Sequence, residues 1–143
     1  MGTSVRSFDQ GGDSASTPYA EMNLGYRFTP GSIVNWNMRY GFEEPFAPRD
    51  QLTVFRSGLS FIQAFNARMS GSASINFLHE INKFSGTQLE TTTDLLDATL
   101  RLEYTVNKHF SVNAFTVFTQ HNTSLGFIDY HRTQFFLGGQ YTY

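Results

Sequence analysis

Apolar side chains recur at every second position through most of the chain, most clearly in residues 132–143, RTQFFLGGQYTY. There Thr133, Phe135, Leu137, Gly139, Tyr141 and Tyr143 fall on one face, and Arg132, Gln134, Phe136, Gly138, Gln140 and Thr142 on the other. A period of two predicts a β-strand with chemically distinct faces. Residues 19–28 repeat it, with Ala20, Met22, Leu24, Tyr26 and Phe28 against Glu21, Asn23, Gly25 and Arg27. Thr29-Pro30-Gly31-Ser32 then makes a tight turn. Residues 33–42 set Val34, Trp36, Met38, Tyr40 and Phe42 opposite Asn35, Asn37 and Arg39, which completes a hairpin.

Four further stretches extend the pattern. In residues 51–62, keeping Arg56 on the polar side assigns Thr53, Phe55, Ser57, Leu59 and Phe61 to the apolar one. Residues 67–80 oppose Met69, Gly71, Ala73, Ile75 and Phe77 to Arg68, Ser70, Ser72, Ser74, Asn76 and Glu80. Residues 95–106 oppose Leu96, Ala98, Leu100, Leu102, Tyr104 and Val106 to Asp97, Thr99, Arg101, Glu103 and Thr105. Residues 110–120 are less regular, because Phe115 and Val117 share a face with Ser111 and Asn113. A short, weakly patterned strand over residues 2–8, holding Val5 and Phe8, completes a set of eight.

The connections alternate in length. Residues 9–18, 43–50, 81–94 and 121–131 read as long loops, and 29–32, 63–66 and 107–109 as short turns. The prediction is one domain over residues 1–143, an all-β, eight-stranded antiparallel up-and-down barrel whose first strand pairs with its last. A strand of about 10 to 12 residues, at about 3.3 Å each and tilted by about 40°, rises roughly 25 to 30 Å. That is the height of a membrane barrel's apolar band, so the expected barrel is transmembrane.

Composition agrees with a wall between lipid and a polar interior. Aromatics make up 16% of the chain while charged residues make up only 15%, and the mean hydropathy is −0.30. Alternation averages hydropathy in this way. Nowhere do 18 apolar residues run together, which excludes a transmembrane helix. With no cysteine, disulfide scaffolds, thiolate metal sites and Cys nucleophiles are excluded. A net charge of −2 gives no electrostatic case for nucleic acid. The Met-Gly-Thr start carries no charged-then-apolar leader, so export implies a mature or trimmed form.

The polar face gathers Glu21, Arg27, Arg39, Arg56, Arg68, Glu80, Asp97, Arg101 and Glu103. Charges are costly against lipid, so these are expected to form a charge network filling the lumen. Tyr19, Tyr26, Phe28, Tyr40, Phe42, Tyr104, Phe110, Tyr141 and Tyr143 suit aromatic girdles at the membrane surfaces. His79, His109, His121 and His131 lack metal spacing. No phosphate loop or nucleophile motif is present, and no cofactor is implied.

Two resemblances sharpen the reading. The alternating C-terminal strand with its terminal Tyr143 resembles the signal of bacterial outer-membrane β-barrels. Asp129-Tyr130, Arg132, Gly138 and Tyr141 resemble the closing strand of outer-membrane β-barrel porin families. These imply an outer-membrane location with periplasmic termini, lipid or detergent as surroundings, and recognition by the barrel-assembly machinery through Phe135, Leu137, Tyr141 and Tyr143. Many such families have more strands, so the chain also fits a trimmed or engineered eight-strand form of a larger pore. Small outer-membrane lipid A deacylases carry a His-x-Ser-Asn motif, from which His121-Asn122-Thr123-Ser124 departs. The expected role is thus structural or porin-like and non-enzymatic, without a large channel as a monomer. A lipid-modifying enzyme and a soluble ligand-binding barrel are the alternatives.

Overall fold

A computed structural model of the chain describes residues 2–7, 14–43, 51–84, 89–124 and 129–142. Eight strands follow in chain order: β1 (Gly2–Ser7), β2 (Ser14–Thr29), β3 (Ser32–Glu43), β4 (Gln51–Ala64), β5 (Met69–Lys83), β6 (Glu90–Asn107), β7 (Phe110–Thr123) and β8 (Tyr130–Tyr141). Each pairs antiparallel with the next, giving an up-and-down sheet ordered β1 to β8. Strands β2 to β8 form the continuous body, while β1 pairs only with residues 14–19 of β2. No pairing joins β1 to β8 among the described residues, so the expected closing seam is not formed and the sheet is open.

The register follows the alternation. Directly opposed residues of an antiparallel pair point to the same side, and Leu24, Trp36, Leu59, Ile75, Ala98, Phe118 and Thr133 oppose one another in turn across β2 to β8. A slip of one residue on any strand would carry its apolar set to the polar side. Strand β7 obeys the same rule, with Val112, Ala114, Thr116 and Phe118 on the apolar side and Phe115 and Val117 on the polar one.

Two of the three short turns are built alike. In the β4–β5 turn Asn66 Oδ1 accepts from the Arg68 and Met69 amides at 2.8 and 2.9 Å. In the β6–β7 turn Asn107 Oδ1 accepts from the His109 and Phe110 amides at 2.9 and 3.0 Å. Such bonds let an asparagine side chain stand in for a turn of backbone. The turns are also stitched sideways, Ala64 N to Gly31 O at 2.7 Å, Thr105 N to Arg68 O at 2.7 Å and Thr142 N to His109 O at 2.8 Å.

The opposite ends differ from the sequence reading, because the strands run on. Ile81, Asn82 and Lys83 of β5 pair with Thr92, Thr91 and Glu90 of β6, all expected in a loop. Residues 14–18 likewise belong to β2, Glu43 to β3, and residues 121–123 and 130–131 to β7 and β8. Arg68, expected on a strand, lies in the β4–β5 turn.

What this sheet lacks is a core. Val54 is the one buried apolar residue among those described, at 2% exposure, and only Ser32 and Thr119 are buried polar ones. The accessible surface is 10261 Å², against about 7,500 Å² for a compact folded chain of 16.2 kDa. Phe135 and Leu137 stand 81% and 80% exposed, and Leu24, Leu59, Ile75, Leu100 and Leu102 are exposed on the same side.

Candidate functional site

Both faces carry information, and the apolar one is the simpler. On β6 it runs from Leu96 to Val106, about 33 Å along the strand at about 3.3 Å per residue. Beyond Leu96 the same side turns polar: His79 Nδ1 meets Asp94 Oδ1 at 2.6 Å, and Lys83 pairs with Glu90 at 3.5 Å. At the other end lie rings, with Tyr26 edge-on to Phe28 at 4.6 Å and His109 stacked on Tyr141 at 6.1 Å. The side is thus an apolar band between ion pairs and aromatics.

Tyr19, expected in an aromatic girdle, belongs to the other face. Its hydroxyl donates to Glu21, its ring lies 6.0 Å from the Arg39 guanidinium, and a Cβ on Gly41 would come within 2.9 Å of it. Of the assembly residues, Phe135, Leu137 and Tyr141 stand exposed on the apolar side. Tyr143 lies outside the described residues.

The polar face is organised in rungs. Glu21, Arg39, Arg56, Leu78 and Leu95 oppose one another in turn, which sets two guanidiniums side by side. Arg56 relieves this by pairing with Glu43 at 2.6 Å. The other eight residues of the expected charge network, among the described residues, have no opposite charge within ion-pair distance. Glu21 faces Arg39 but accepts from the Tyr19 hydroxyl instead, and for four others the register gives the reason: Arg27 faces Ile33, Arg101 lies between Ser72 and Phe115, Glu103 between Ser70 and Asn113, and Glu80 between Val54 and Thr93. Arg101 instead lies 5.9 Å from the Phe115 ring, which stacks on Phe136 at 4.5 Å.

The middle rung carries one acid, Asp97, and one base, Arg132. Asn23, Asn37, Gly58, Asn76, Asp97, Thr119 and Arg132 face one another across all seven strands from β2 to β8. Buried Thr119 donates its hydroxyl to Asp97 Oδ1 at 2.6 Å. Thr119→Val is expected to lower stability by about 1 to 3 kcal/mol, since it strips a carboxylate of its donor. A urea midpoint equal to that of the unmodified chain would contradict it.

The histidines do not assemble a centre. His79 pairs with Asp94, His109 Nδ1 lies 3.0 Å from Thr142 O, and His121 stacks on Tyr130 at 5.2 Å. Among the described residues no three metal-ligating side chains converge. Near His121 the Ser124 hydroxyl accepts from the Thr92 amide at 3.0 Å, so it terminates a strand pair.

These features define a class, an antiparallel meander with one predominantly apolar face and one predominantly polar face. No protein-family model, curated protein or solved structure matches the chain.

Proposed function

We propose that this chain is the lipid-spanning wall of a β-barrel in a bacterial outer membrane, structural or porin-like in role, closed as eight strands around a narrow polar interior. The observation that carries the reading is the exposed apolar band, bounded by ion pairs at one end and rings at the other. At a tilt of about 40° its 33 Å of strand stands about 25 Å high, the height of such a band in membrane barrels. Water would leave that band uncovered, whereas acyl chains cover it at no cost.

Closure follows from the same surroundings. In lipid every open strand edge leaves main-chain groups unsatisfied at several kcal/mol each, so the first and last strands pair there. Eight strands enclose a lumen that side chains nearly fill, with room for at most one small ligand, and a single copy carries no large channel. The resemblance of the closing strand supports periplasmic termini and recognition by the barrel-assembly machinery.

Trp36 makes a direct test, because it is the only tryptophan and stands on the apolar side. In vesicles with brominated acyl chains its emission is expected to be strongly quenched, and the folded protein to migrate differently on a gel before and after heating. An unquenched Trp36 in a chain that stays monomeric without detergent would favour a soluble ligand-binding barrel.

A further inference from the structure

The ion pairs among the described residues all lie on the long-loop side of the middle rung: Arg56 with Glu43, His79 with Asp94 and Lys83 with Glu90. On the short-turn side the described charges are Arg27, Arg68, Arg101, Lys108 and one acid, Glu103. None of these five has an opposite charge within ion-pair distance. One end of the wall therefore keeps a surplus of bases.

Two of those bases sit on neighbouring turns, Arg68 between β4 and β5 and Lys108 between β6 and β7, and Thr105 N ties the turns together by donating to Arg68 O at 2.7 Å. Lys108 is three residues from Thr105, at most about 11 Å of chain. Both side chains are exposed and have no partner among the described residues. The remaining short turn, residues 29–32, carries no charge.

The apolar side next to these turns is shaped by rings. A Cβ on Gly71 would lie 2.9 Å from Phe65 Cε2 and 3.2 Å from Leu102 Cδ2, so Phe65, from the turn that holds Arg68, covers that glycine. Phe110, beside the Lys108 turn, covers Gly139 in the same way at 3.2 Å. On β6, between them, Tyr104 opposes Met69 and Val112, stands exposed, and has no partner for its hydroxyl among the described residues.

A guanidinium presents a fork to phosphate oxygens, an ammonium adds a point charge, and a tyrosine at an interface has an apolar ring with a polar tip. Placed at the rim of an apolar band, the three match a molecule that carries a phosphate anion on hydrocarbon chains. Glu103 is the nearest acid in the ladder. It opposes Ser70 and Asn113 on the polar side, and successive strand residues point to opposite faces, so it lies across the wall from Tyr104.

We propose that Arg68, Lys108 and Tyr104 form a headgroup site for an acidic phospholipid at the short-turn end of the apolar band. The proposal rests on the membrane-barrel reading, which sets acyl chains against that band.

The test folds the full chain into nanodiscs of equimolar phosphatidylglycerol and phosphatidylcholine with matched acyl chains, and native mass spectrometry identifies the lipid that stays bound. Phosphatidylglycerol is expected to be retained at least about fivefold over phosphatidylcholine, the gain that one base gives beside an anionic lipid. Arg68→Gln combined with Lys108→Gln should remove the preference, and Tyr104→Phe should lower it about threefold. Arg27→Gln combined with Lys83→Gln removes the same charge from the polar face and the long-loop end, and should leave the preference intact. Equal retention of the two lipids by the unmodified chain, or a preference that survives the Arg68 and Lys108 changes, would overturn the site. So would loss of the preference in the Arg27 and Lys83 variant, which points to overall charge, or displacement of the lipid by inorganic phosphate, which points to a free anion. Quenching of Trp36 in nanodiscs with brominated acyl chains separates these outcomes from failure of the membrane reading, because quenching with equal retention refutes the site alone.

Discussion

Leu100→Arg is expected to prevent folding into lipid vesicles, while Thr99→Arg, one residue away, folds nearly as the unmodified chain does. Leu100 is 54% exposed on the apolar side, opposite Ala73 and Thr116 and one strand further from Phe135. An arginine held at mid-depth against lipid costs about 2 to 4 kcal/mol. Thr99 stands on the other side between Ser74 and Val117, and Asp97 lies two residues away on the same face. An arginine there has water and a carboxylate within reach. Folding yield by protease protection would measure the contrast, and equal yields for the two variants would refute the membrane orientation.

Deleting residues 141–143 is expected to abolish assembly in cells, whereas deleting residues 83–90 is tolerated. The first deletion removes the Tyr141 rung against Phe110 and its ring against His109, together with the C-terminal aromatic that resembles an assembly signal. The second removes the Lys83–Glu90 rung and the connection after it, and leaves Asn82 and Thr91 as a two-residue turn between Ile81 and Thr92, so that two rungs are lost, both beyond the apolar band. Protease resistance and heat-modifiable migration of the two deletions decide this, with a tail deletion that assembles normally as the contrary result.

Period-two alternation specified which side each residue of β2 to β8 would take, because one side is predominantly apolar and a slip would carry that set to the polar side. Even β7, irregular by composition, is held in place by Arg101 opposite Phe115 and Ala98 opposite Phe118. Strand ends were less legible. Residues 81–83 and 90–94 read as a loop because the outward positions Lys83, Glu90 and Asp94 are polar; hydropathy marks where the apolar band stops, and backbone pairing continues past it. The β-branched run of Thr91, Thr92 and Thr93 was the available strand signal.

The polar face was legible as a side and not as a network. Knowing that nine charges share a face does not say which are opposite, and the register sets Arg39 against Arg56 while leaving Asp97 to Thr119. Gly58, where a Cβ would come within 2.8 Å of Asn76 Oδ1 and 2.9 Å of Asn37 Oδ1, could not be singled out without the pairing that sets it between those two strands.

The order of pairing in this sheet has a kinetic consequence. Every ladder described joins consecutive strands, so each hairpin can zip as soon as its turn forms, with little chain entropy lost at any step. A seam between β1 and β8 would be the sole contact linking residues more than a hundred positions apart. Such a seam closes last, after a sheet with two unsatisfied edges has been completed. In the proposed membrane barrel, the slow step of insertion and the species most exposed to mispairing with another chain would both belong to that open-edged sheet.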